Sequence, residues 1–209
     1  MRLSLLTLAS LLAAGTTALH ASSFTPYSSV GTPITSSTNV TFTGATGTGI
    51  DAYFYSASAA DTDTISVFDL STGTFLSPQG VFNNQSTAPG TMVTFTSPSL
   101  TTGDTLVFDL YNASFPGDTL SSNTATSPDG DSHAYVTPFD GTIGSDGTIV
   151  GTYVGMEDLP ASVSDFDYND DTFVFTNVDP APTPEPSTFA LLGTGLLGAA
   201  GDLRRKFAR

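Results

Sequence analysis

At 209 residues, with 5 basic and 20 acidic side chains, the chain carries a formal net charge of −15 and contains no cysteine. That excludes a disulfide scaffold and, through repulsion of phosphate, makes a nucleic-acid partner untenable. With the ends set aside the length suits one domain, and 39% hydrophobic residues, 15 Phe and 7 Tyr among the side chains, exclude an intrinsically disordered chain.

Residues 1–21 begin with Arg2, continue through an apolar stretch from Leu3 to Ala14 and end on small and polar residues as far as Ala21. This three-part layout predicts an N-terminal signal helix, cleaved after Ala21. A buried amphipathic helix would need a polar face, and Leu5, Leu6, Leu8, Leu11 and Leu12 leave little of one. All the basic residues lie at the two ends, as Arg2, Arg204, Arg205, Lys206 and Arg209. Between Ser22 and Thr183 there are 17 Asp and one Glu but no Lys or Arg, so Lys and Arg salt bridges are impossible there. Such a charge is tolerable when carboxylates are dispersed in water or gathered around divalent cations.

Residues 22–178 read as short apolar or alternating runs broken by Gly, Pro, Asp and Asn, the pattern of an all-β domain. Strands are predicted at Val40 to Thr43, Ile50 to Ala57, Thr64 to Leu70, Thr91 to Thr96, Thr105 to Tyr111, Ala134 to Phe139, Ile149 to Met156 and Thr172 to Asn177. The fold expected is a single antiparallel β-sandwich of jelly-roll type. "VFDL" occurs twice, in "TISVFDL" and "TLVFDLY". Alternation puts Phe68 with Leu70, and Phe108 with Leu110, on one face, with Asp69 and Asp109 opposite. Two copies are too few for a solenoid, so they read as two similar sandwich strands. "SPDGDS" (127–132) and "GSDG" (144–147) read as turns. Asn39, Asn84 and Asn112 each open an N-x-Ser/Thr triplet, which chance supplies readily in a chain this rich in Ser and Thr.

The densest polar constellation is "GMEDLPASVSDFDYNDDTFVF", residues 155–175. Asp165, Asp167, Asn169 and Asp171 recur at every second position, so an extended segment would point all four the same way, with Phe166, Tyr168 and Asp170 opposite. Hard oxygen ligands at this density suit Ca2+, and Glu157 and Asp158 from the preceding strand would complete the cage. An EF-hand is excluded, because Asp170 stands where that loop needs Gly and Thr176 where it needs Glu. The alternative is a tight turn in which Asp and Asn cap backbone N–H groups while Phe173 and Phe175 re-enter the core. The segment resembles the E-D-L-P and D-x-D-Y-N-D pattern of a β-rich domain of unknown function in bacterial surface and matrix proteins. The likeness spans residues 157–175; it implies an extracellular setting and supplies no activity.

Catalysis has little to stand on. His133 is the single histidine after the signal segment, and Ser132 beside it would point to the opposite face of a strand. Beside a turn, such a histidine reads as a solvent-exposed polar residue, and no enzyme is expected.

Residues 179–186 form a Pro-rich linker ending in Pro184, Glu185 and Pro186. Residues 187–203 follow as a short membrane helix, and 204–209 as a basic cytoplasmic tail. The uncharged run Ser187 to Gly201 spans about 22 Å as a helix, against a hydrocarbon core of about 30 Å, which is short for a lasting anchor. Linker, Pro-Glu-Pro, apolar helix and basic end together resemble the PEP-CTERM sorting signal. Asp202 departs from it, standing where the family usually continues apolar. The resemblance implies an exosortase as processing partner, transient insertion in the inner membrane, and release to the cell envelope or extracellular matrix. The function expected is that of a structural or adhesive exopolysaccharide-matrix protein, with Ca2+ as its ion. The alternative is a calcium-dependent carbohydrate-binding module that sets Tyr53, Tyr55 or Tyr168 against matrix polysaccharide.

Overall fold

The computed structural model describes residues 25–116, 119–144 and 147–180. The expected signal helix (1–21), sorting helix (187–203) and basic tail (204–209) lie outside the described residues, as does the linker beyond Pro180. The described residues contain no helix and eleven strands: β1 (Val40–Phe42), β2 (Ile50–Ala57), β3 (Asp63–Asp69), β4 (Thr74–Phe75), β5 (Met92–Phe95), β6 (Thr105–Asn112), β7 (Thr119–Ser121), β8 (Ala134–Thr142), β9 (Thr148–Met156), β10 (Asp171–Phe175) and β11 (Val178–Pro180). All eight predicted strands are present. The three not predicted, β4, β7 and β11, are two or three residues long.

The strands form two antiparallel sheets in a sandwich. The first runs β11-β1-β6-β3-β4, with β7 also on β6; the second runs β5-β2-β10-β9-β8. β1 and β7 share one edge of β6, β1 meeting Thr105 and Leu106 and β7 meeting Asp109 to Tyr111. The other edge of β6 pairs with β3, so the two VFDL copies lie against each other, Val67 opposite Phe108 and Phe68 opposite Val107.

That pairing corrects the face assignment in one copy. In β6, Phe108 and Leu110 are buried as expected, but in β3 the buried set is Asp63, Ile65, Val67 and Asp69, while Phe68 and Leu70 face outward. Asp69 tolerates the inner face because its carboxylate caps the following turn. It accepts bonds from the Ser71 N–H at 2.9 Å and from the Thr72 N–H and hydroxyl at 3.2 and 2.7 Å.

Between the sheets, Phe108 of β6 meets Phe175 of β10 with ring centroids 4.5 Å apart, and Phe173 stands edge-on to Phe54 at 5.9 Å. Each buried Phe contributes about 1.5–3 kcal/mol relative to exposure. All five residues of β10 are buried, because Val174 projects into a second apolar cluster on the far side of its sheet with Phe139, Ile143, Ile149 and Tyr153. The central strand thus has no solvated face, so what precedes and follows it is fixed at both ends.

Candidate metal centre

Residues 157–170 join β9 to β10, and they are not extended. Phe166 and Tyr168 hold positive φ angles of 51° and 54°, a left-handed conformation that costs a non-glycine residue about 1–2 kcal/mol. Alternating left-handed residues rotate the side chains off a common face, so Asp165, Asp167, Asn169 and Asp171 do not form the row expected of a strand.

Three features secure the coil. Tyr168 is 1% exposed; its hydroxyl accepts a bond from the Ile34 N–H at 2.8 Å and donates to the Ser132 carbonyl at 3.1 Å. The N-terminal arm lies across the loop, the Gly31 N–H donating to the carbonyls of Asp165 and Phe166 and the Tyr27 ring meeting Tyr168 edge-on at 4.7 Å. Beneath it, a Cβ on Gly155 would collide with the Tyr168 carbonyl, so this β9 position admits only glycine at that approach.

The coil distributes the acids into three groups. One carboxylate oxygen from each of Glu157, Asp165 and Asp167 lies within 4.8 Å of the other two, and the same holds for Glu157, Asp158 and Asp170. Asp171 turns inward instead, and meets Asp63 of the opposite sheet over Asn84, whose side-chain amide donates to Asp63 at 3.0 Å and to Asp171 at 3.4 Å. Asn169 donates to Asp167 from its backbone at 3.1 Å and from its side-chain amide, and its carbonyl oxygen accepts from Ser58.

Glu157 belongs to both three-carboxylate groups. It is 1% exposed, and its Oε1 has no hydrogen-bond partner, while Oε2 accepts a long 3.5 Å bond from the Tyr168 N–H. Asp63 and Asp171 are likewise buried, each with its Oδ1 unpartnered. Two unit charges 4.8 Å apart repel by roughly 3 kcal/mol at an effective dielectric of 20, so these groups cannot all be ionised without a cation. Burial, reinforced by Asp170, pushes the Glu157 and Asp158 carboxyls up to about 8. Burial and the neighbouring Asp63 push Asp171 up to about 9, and burial raises Asp63 to about 6 against the bonds it receives from Asp171 and Asn84. Both members of the Asp63–Asp171 pair are thus held above the ordinary carboxylate range, with burial as the main cause.

Several participants escaped sequence reasoning. Asp170, expected on the opposite side, joins Glu157 and Asp158 and accepts a bond from the Asp158 N–H at 3.1 Å. Asp61 and Asp63 enter from the head of β3, where "DTD" repeats the two-residue spacing that drew attention to Asp165. Asn84 and Asn112, noticed only as triplet openers, are structural: Asn112 donates to the Asp158 carbonyl at 2.8 Å and to the Asp61 carboxylate at 3.3 Å. His133 is corrected too. It is 1% exposed, not solvated, and its Nε2 lies 3.0 Å from the Asp129 carboxylate. Tyr168 is no surface aromatic, and Tyr53 and Tyr55 are half-buried over the second apolar cluster.

Beside the Asp167 group a cavity of about 240 Å³ is lined by Tyr27, Tyr153, Asp167, Tyr168 and Asn169, with Pro26 and Val30 at its edge. This cavity and the carboxylates sit in a domain whose C-terminal extension decides its destination, since residues 182–205 match the family model described as the PEP-CTERM protein-sorting motif. The chain carries a PEP-CTERM sorting motif. Pro184, Glu185 and Pro186 fall inside the matched segment, which begins two residues after β11 ends. The motif marks the chain as exported, targeted to an exosortase and passed through the membrane on the way. No curated protein and no solved structure matches the chain.

Proposed function

We propose that the exported domain is a non-enzymatic structural or adhesive component of the cell envelope or exopolysaccharide matrix, held in shape by Ca2+ at its carboxylate cluster. The observation that supports this best is Glu157, buried between two groups of carboxylates with an unpartnered oxygen. A buried carboxylate needs a compensating positive charge, and no Lys or Arg lies between Ser22 and Thr183 to supply one. Ca2+ takes six to eight oxygen ligands in adaptable geometry, which matches an all-oxygen set drawn from a coiled loop. A structural role is favoured over catalysis because Ser132 and His133 are both engaged elsewhere. The Ser132 hydroxyl donates to the Ser122 carbonyl at 3.0 Å and bonds Thr38 at 2.7 Å, while the His133 ring bonds Asp129.

Thermal melting of the full chain in mild detergent, with EDTA and then with Ca2+, tests the reading. An ion bound only by the native state stabilises it by about 2.7 kcal/mol at a hundred times its Kd, so a rise of roughly 5–10 °C is expected. An unchanged melting temperature at millimolar Ca2+ overturns it.

The cavity beside Asp167, with the part-exposed Tyr27 ring at its wall, favours a second reading, a calcium-assisted carbohydrate-binding module. Sugar rings stack on aromatic faces while carboxylate and amide groups bond their hydroxyls. Retention of exopolysaccharide that is lost on adding EDTA selects this reading over a purely structural role.

A further inference from the structure

The two carboxylate groups that share Glu157 differ in where their other members come from. Asp165 and Asp167 belong to the coiled loop and border the open tyrosine-lined cavity. Asp158 and Asp170 lie deeper, and around them stand acids of both sheets. Asp61 is tied to Asn112 at 3.3 Å and to the Ser114 hydroxyl at 2.6 Å, and Asp63 of β3 meets Asp171 of β10 through Asn84. The independent sign is Glu157, which is 1% exposed and directs an oxygen that no hydrogen bond reaches into the space between the two groups.

We infer that the cluster takes two divalent cations bridged by Glu157: an outer ion at Asp165 and Asp167, and an inner ion at Asp158 and Asp170 that draws in the Asp61, Asp63 and Asp171 side and clasps the two sheets together. The inference rests on the calcium reading above and goes beyond it in number and role. The outer ion organises the loop beside the cavity. The inner ion joins the head of β3 to the junction of loop and β10, and therefore carries the stabilisation of the fold. Pairwise repulsion among the deprotonated inner acids becomes attraction to a common centre, which makes their burial at a sheet-to-sheet junction favourable at neutral pH.

The two ions are separable by experiment on the full chain. The chain has no Trp, and Tyr27, Tyr153 and Tyr168 line the cavity beside Asp167, so Tb3+ at the outer position emits when tyrosine is excited. Calorimetric titration with Ca2+ should give two ions per wild-type chain, and one for each of Asp167→Asn and Asp170→Asn. Asp167→Asn should lose the tyrosine-sensitised terbium emission while keeping most of the calcium-induced melting shift. Asp170→Asn should keep the emission and lose most of the shift; its amide oxygen still accepts the Asp158 N–H, so the loop retains that bond. One ion per wild-type chain, or an Asp170→Asn chain with the full wild-type shift, overturns the inner clasp and leaves calcium binding standing. No bound ion at all overturns the reading on which the inference rests.

Discussion

A Cβ at Gly155 would meet the Tyr168 carbonyl, and the acidic loop can lie on β9 only while that position is bare. Gly155→Ala is therefore expected to lose about 2 kcal/mol, as overpacked sites do, together with much of the response to Ca2+; urea unfolding in EDTA and in Ca2+ measures both. Asp129 offers a second residue-level test. Burial alone would raise its carboxyl, but the Ala161 N–H at 2.8 Å and the His133 ring outweigh burial and hold it below its ordinary value. A depressed carboxyl contributes stability that is present above its unfolded pKa and is lost as pH falls through the folded one. Asp129→Asn should thus flatten the acid limb of the stability curve below about pH 4, seen by circular dichroism. A limb identical to wild type would show that the ion pair with His133 does not bear on folding.

At the level of elements, strands were legible where hydrophobic alternation ran over four or more residues, as in β2, whose buried Ile50, Ala52 and Phe54 alternate with half-buried neighbours. The phase of β3 was not legible, because alternation puts Ile65 and Val67 on one face and Phe68 and Leu70 on the other, while the cap made by Asp69 is invisible in composition. The site divided in the same way. Glu157, Asp158, Asp165 and Asp167 came from one stretch of sequence, whereas Asp61, Asp63, Asn84 and Asn112 arrive through pairing of β3 with β6 and through loops that no local pattern encodes. The left-handed residues Phe166 and Tyr168 broke the expected row, since sequence spacing fixes side-chain direction only within regular structure. The N-terminal arm depends on one such loop contact. Tyr27→Ala should speed amide exchange at Gly31 and Ile34, whose N–H groups bond the loop, while β2 and β10 keep their protection.

For the molecule as a whole, the raised carboxyls set the direction of pH dependence. In Glu157, Asp158, Asp171 and Asp63, burial is the largest cause, and the folded values of about 8, 8, 9 and 6 stand above an unfolded value near 4. A raised group contributes stability that is complete below the unfolded pKa and is lost as pH rises through the folded one. In EDTA the melting temperature should therefore fall between about pH 4 and pH 9, and Ca2+, which binds the deprotonated acids, should restore it most at the alkaline end. A flat profile in EDTA would contradict the cluster as described. The last strand has a different consequence. β11 closes the edge of the first sheet through Val40, Thr41 and Phe42 and ends at Pro180, so Pro184 stands four residues beyond a hydrogen-bonded strand. Even fully extended, four residues reach only about 14 Å. An exosortase acting at Pro184 would accordingly meet the wall of the folded sandwich, and clearance is then expected to slow the reaction. Inserting a Gly/Ser spacer after Pro180 should quicken processing, while removing Ala181 to Thr183 should slow it, as judged by the rate at which the precursor band disappears.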